Sequence, residues 1–100
     1  MGEALITRKG GGGGLPKKVT FIQGGYGQTQ IAIPDNGNYV LQMMSFWDDV
    51  NAVGIAFISN YKLLCQIKSG SATCNVNRIE GNKVYCTLSS SAYCWLYKIE

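Results

Sequence analysis

The chain has 100 residues, 46% of them hydrophobic and 15% charged, with 13 glycines, 4 cysteines, no histidine and a net charge of +3. That length makes one domain able to bury roughly two thirds of its unfolded surface, and it leaves no room for a second. The missing histidine removes imidazole acid–base catalysis, Ser-His-Asp and Cys-His arrangements, and every zinc site that uses imidazole.

Residues 1–18 read as an arm. They hold Arg8, Lys9, Lys17 and Lys18 against Glu3 alone, so the whole excess of positive charge lies here. Ala4, Leu5 and Ile6 form a short apolar anchor, followed by Arg8-Lys9 and the unbroken run Gly10, Gly11, Gly12, Gly13, Gly14. Five glycines in a row resist ordering, because each loses about 1–2 kcal/mol of backbone entropy when fixed. Fully extended, the arm reaches about 60 Å at roughly 3.3–3.6 Å per residue, which suits a tether. The run is not a phosphate loop: Leu15-Pro16 interrupts it, and Lys17 is followed by Lys18 instead of Ser or Thr. The opening residues lack the apolar run of a secretory signal, and no segment approaches the roughly 18 apolar residues of a spanning helix, so no membrane insertion is expected.

Residues 19–100 form the expected β domain. Its charges cancel: Lys62, Lys68, Arg78, Lys83 and Lys98 against Asp35, Asp48, Asp49, Glu80 and Glu100. Nucleic acid is not an expected partner, because its recognition needs basic groups clustered on the folded part. Sparse charge with abundant Tyr, Ser, Asn and Gln fits an assembly subunit, or a small domain with a polar uncharged surface.

From Val19 the apolar period is two, with turn signals at short intervals. Strands are predicted at 19–23, before a Gly24–Gly27 turn, and at 30–33, before Pro34-Asp35-Asn36-Gly37. A long strand at 38–47 carries Tyr39, Leu41, Met43 and Trp47 on one side and Val40, Met44 and Phe46 on the other. It is therefore central or set against a neighbouring subunit. After an Asp48-Asp49 turn comes 52–58, where Gly54 marks an expected bulge. A Ser59-Asn60 hairpin leads into 61–68. Strands at 73–80 and 83–88 flank the Gly81-Asn82 hairpin, and 92–99 ends the chain. About eight short strands without a helical pattern predict an all-β fold, a small antiparallel β-sandwich or barrel built as a meander.

Strict alternation turns Cys65, Cys86 and Cys94 inward and leaves Cys74 near solvent. The spacing contains no Cys-x-x-Cys pair, which weighs against zinc. Free thiols acting as small hydrophobes and disulfides both stay open. Carboxylates are scattered in turns, and Ser59-Asn60-Tyr61-Lys62 matches Ser-x-x-Lys only on a hairpin; no enzymatic activity, cofactor or metal is expected. Tyr93, Trp95 and Tyr97 alternate on one side of the last strand. They are candidates for core, a subunit interface, or a platform that stacks sugar rings or nucleobases.

The opening Ala4-Leu5-Ile6-Thr7-Arg8-Lys9 with its glycine run resembles the start of tail-fibre and other tail-appendage proteins of tailed phages and prophages of Gram-positive bacteria. The resemblance covers about 14 of the 100 residues, and no shaft of repeats or coiled coil follows. It implies a virion structural protein made in the bacterial host cytoplasm, docked on tail, baseplate or capsid through residues 4–14. Its body would face outward or pack between subunits, with other virion proteins and further copies of itself as partners. A carbohydrate-binding module for a host surface glycan and a capsid decoration protein are the alternatives.

Overall fold

The computed structural model describes residues 17–47, 50–89 and 91–100. The anchor and glycine run at 4–14 and the Asp48-Asp49 turn lie outside them. Eight strands follow in order: β1 (Val19–Tyr26), β2 (Gln30–Ala32), β3 (Asn38–Trp47), β4 (Val50–Ser59), β5 (Lys62–Gly70), β6 (Cys74–Glu80), β7 (Lys83–Leu88) and β8 (Ala92–Ile99). All pairings are antiparallel, and among the described residues there is no helix.

The strands make two packed sheets, a sandwich-like arrangement: five in the order β1-β8-β3-β4-β5 and three in the order β2-β7-β6. The expected simple meander is corrected on this point. β3-β4-β5 is a meander, but β8 returns to lie between β1 and β3, and it joins the two chain halves in the larger sheet. β3 is central, one of the two placements that its two apolar sides allowed, and pairs with β4 along its whole length from Asn38↔Ser59 to Trp47↔Val50.

The core lies between the sheets. From the large sheet come Tyr39, Leu41, Met43, Ala52, Ala56, Ile58, Cys94 and Leu96; from the small sheet and its loops come Ile31, Ile33, Ala72, Cys74, Val76, Val84 and Cys86. β6 lies across β4 and β5. Gln66 of β5 fastens this crossing: its Nε2 donates to the Val76 carbonyl (3.0 Å) and its Oε1 accepts from the Val76 amide (2.8 Å). One side-chain amide thereby does for the free edge of β6 what another strand would do.

Several local expectations change in the fold. The strand β1 runs through Gly24 and Gly25 up to Tyr26. Gly24, at φ +137°, sits so close over β8 that an added Cβ would lie 2.0 Å from the Cys94 carbonyl oxygen. Gly54 is not a bulge. It stays in register with Met43 and Lys68, and its missing side chain admits β6, with an added Cβ only 2.8 Å from the Cys74 carbonyl oxygen.

The bulges lie elsewhere. One falls between Phe21 and Gln23, a second between Phe57 and Ile58 opposite Leu63 and Cys65, and a third between Val76 and Arg78. An extra residue in one strand reverses the sides of everything beyond it, which corrects two cysteines. Cys65 is exposed and Cys74 is buried, both opposite to strict alternation. The β4–β5 hairpin turns on Asn60-Tyr61, both at positive φ (54° and 61°), one residue later than the sequence pattern placed it. Gly81-Asn82 closes β6 and β7 with Glu80 opposite Lys83, and of the two only Gly81 takes positive φ.

Candidate interaction surface

The outer face of the five-stranded sheet follows from the pairing registers. Three rows of five residues cross it from β1 to β5: Phe21, Tyr97, Val40, Phe57, Cys65; then Gly24, Trp95, Gln42, Ile55, Ile67; then Tyr26, Tyr93, Met44, Val53, Ser69. Their polar members are Gln42 and Ser69, with no charged residue among the fifteen. Beyond them, Phe46 flanks the third row, and the Asn38-to-Ser59 row ends at Lys62.

Large apolar side chains stand open on this face: Phe21, Tyr26, Phe46, Val53, Phe57 and Ile67 are 39–65% exposed. Contiguous apolar patches of several hundred Å² on a folded chain mark contact surfaces, whereas single exposed leucines do not. Among the described residues nothing covers this one. Charge is gathered elsewhere, at the strand ends and on the small sheet. There Arg78 pairs with Glu80 and lies 4.1 Å over the Tyr85 ring, while Lys98 bridges both oxygens of Asp35 at 3.0 and 3.2 Å.

The expected trio Tyr93, Trp95 and Tyr97 is brought together here, half-buried on the outer side of β8. Phe46, Tyr93 and Trp95 stack as a ladder, with centroids 5.8 and 5.3 Å apart and ring planes within 21° and 11°. Tyr26 meets Tyr93 edge-on at 5.2 Å, and Phe21 meets Tyr97 likewise at 5.7 Å. Tyr93 is thereby in contact with three other rings, those of Phe46, Trp95 and Tyr26. Stacking on a sugar needs a free ring face, whereas a ladder of ring edges suits packing against aliphatic side chains.

Sequence reasoning missed Phe21, Tyr26, Val53, Ile55, Phe57 and Ile67. A signal was present in β4, where alternate residues are Ala52, Gly54, Ala56 and Val53, Ile55, Phe57. When the larger series faces out, the strand has a second surface to bury.

On the other side of the sheet the polar groups serve the fold. The Tyr39 hydroxyl donates to the Asp35 side chain and to its carbonyl (3.1 Å). That bond, then Lys98, holds the Asp35 carboxyl below its ordinary value; burial pushes the Tyr39 phenol up, and the bond to Asp35 raises Lys98. Three thiols lie in the core. The Cys86 and Cys94 sulfurs approach to 3.9 Å between the sheets, a contact that, with burial, pushes the Cys94 thiol up, and burial raises Cys74. Among the described residues no group of three His, Cys, Asp or Glu side chains is arranged to hold a metal ion, and no helix is long and apolar enough to cross a membrane.

Comparison with protein families, with curated proteins and with solved structures finds no match to this chain.

Proposed function

We propose that this chain is a non-enzymatic structural subunit of a bacteriophage particle. Residues 4–14 hold it to tail, baseplate or capsid, and the outer face of its five-stranded sheet packs against neighbouring protein. The observation that carries the assembly part of this reading is that charge-free face, where three registered rows present large apolar side chains to solvent. An isolated soluble domain gains nothing from such a surface, and an assembly subunit needs one. The particle part rests on the opening Ala4-Leu5-Ile6-Thr7-Arg8-Lys9 and its glycine run, whose basic residues suit an acidic site on the particle.

Removing residues 1–14 tests the reading. The truncated chain is expected to keep its β circular-dichroism spectrum and to vanish from purified particles. Truncated protein at full copy number in particles overturns the role of the arm. The carbohydrate-binding reading is favoured by the position of Trp95 and Tyr97 on an open face. Glycan-array binding that disappears in Trp95→Ala without loss of fold would establish it against the packing role.

A further inference from the structure

We infer that the outer face of the five-stranded sheet is covered by a second copy of the same chain, packed face to face about a two-fold axis that runs along β3. This rests on the assembly reading and names its partner. The size fits. Five strands about 4.8 Å apart, with 8–10 residues at about 3.4 Å each, make a face of about 700 Å². A stable dimer buries about 800 Å² per partner.

The chemistry fits as well. A surface whose three central rows hold no charge leaves the Lys and Glu of an ordinary protein surface desolvated and unpaired. It is matched by another charge-free surface, and the chain itself carries one.

The registers then select the axis. Rotation about β3 lays β8 of one copy over β4 of the other and β1 over β5, each row over its own counterpart. Trp95 falls over Ile55, Tyr93 over Val53, Tyr97 over Phe57 and Phe21 over Cys65. In the two rows that carry Trp95 and Tyr93, the aromatic half of the face thus meets the aliphatic Ile55 and Val53. Trp95 and Tyr93 arrive above a shallow depression of about 200 Å³ lined by Val53, Ile55, Ile67, Lys68 and Ser69. A two-fold axis across the strands would instead set the β8 ladder on the β8 ladder, bulk against bulk.

Gln42 supplies the remaining piece. It is the one polar side chain in the middle of the face, on the central strand and in the central row. A residue on the axis of an isologous interface meets itself. A primary amide both donates and accepts, so two Gln42 side chains pair reciprocally and fix the register, as a lone buried Asn does in a coiled coil. Aligned sheets cross at about 30°, so the matching is closest near this axis.

Sedimentation equilibrium of the full chain at micromolar concentration is expected to give twice the chain mass. Ile55→Lys and Trp95→Glu are each expected to give a folded monomer by circular dichroism. Mixed in equal amounts, the two variants are expected to recover the dimer, because the new ammonium then stands over the new carboxylate while the native Trp95 and Ile55 meet at the symmetry-related site. Failure of two folded variants to recover it overturns the register.

The unmodified chain gives an independent readout should a variant not fold. Alkylation of exposed Cys65 is expected to slow as concentration rises, because Phe21 of the second copy covers it; a dimer whose Cys65 reacts as fast as in dilute solution overturns the face. A chain that stays monomeric in solution yet enters particles overturns the second copy and supports the particle reading. A dimer found in no particle supports the second copy and overturns the particle reading.

Discussion

The two faces of the five-stranded sheet are built from the same strands by opposite rules. Toward the small sheet, β4 presents Ala52, Gly54, Ala56 and Ile58, all buried; toward solvent it presents Val53, Ile55 and Phe57. β8 repeats the inversion, with Ala92, Cys94 and Leu96 inside and Tyr93, Trp95 and Tyr97 outside. The inner side is filled by close approach of β6, which leaves no room at Gly54 for even a Cβ. The outer side carries the larger side chains of these two strands, and nothing among the described residues covers it. Burial inside one domain therefore ranks these positions by available space, and hydrophobic size alone points the wrong way.

Truncating one residue on each side separates the two rules. Leu41→Ala, fully buried, is expected to cost about 3 kcal/mol in urea unfolding, within the range for buried leucines. Ile67→Ala, at a position 65% exposed on the outer face and measured where the chain is monomeric, is expected to cost less than about 1 kcal/mol, since little of its area leaves water within one chain. Equal losses would mean that the outer face is already packed within the single chain.

Filling space gives the next largest contrast. Gly54→Val forces its new methyls into the Cys74 backbone and is expected to cost about 2 kcal/mol. Val53→Leu, one residue away and facing out, is expected to change stability by less than about 0.5 kcal/mol. Thermal melts of the two variants side by side check this.

The clasp between sheets comes third. Gln66→Ala removes both bonds to Val76 and leaves its amide and carbonyl without that partner, at an expected cost of about 1–2 kcal/mol. Hydrogen exchange at the Val76 amide should accelerate beyond the global change. Exchange that follows global stability alone would show the clasp to be dispensable.

The smallest effect is expected at the exposed end of the sheet, and it depends on pH. The Asp35 pKa is lowered below its ordinary 3.8, so its contribution is present above that value and is lost as pH falls through the depressed one. Tyr39 and Lys98 are raised above 10.0 and 10.5, so their contributions hold below those values and are lost as pH rises through the raised ones. Asp35→Asn should therefore be less stable than the parent at neutral pH, with the gap closing at both extremes. A gap independent of pH would assign the effect to shape.

Much of the fold is legible in the residues. Alternation places β3, β7 and β8 at the bounds seen in the structure, because Asn38–Trp47, Lys83–Leu88 and Ala92–Ile99 lie between strong turn formers and keep one period throughout. It fails at Cys65 and Cys74, where a single extra residue reverses the pattern and no glycine or proline announces it. The candidate surface was half legible. Tyr93, Trp95 and Tyr97 declare themselves as a row, but their neighbours come from β1, β3, β4 and β5, up to 76 positions away in the chain from Phe21 to Tyr97. Local pattern carries no trace of which strands become neighbours.

Alternation, turn chemistry and composition act over a few residues, and they suffice for an all-β body with balanced charge and for the long third strand at 38–47. Alternation also turns Cys86 of β7 and Cys94 of β8 inward, as they are, whereas the inner side of β4, β5 and β6 was set by the packing of the two sheets. That choice depends on how closely the small sheet approaches and where three bulges fall, and the pairing β1-β8-β3-β4-β5 then gathers fifteen scattered residues into one charge-free face.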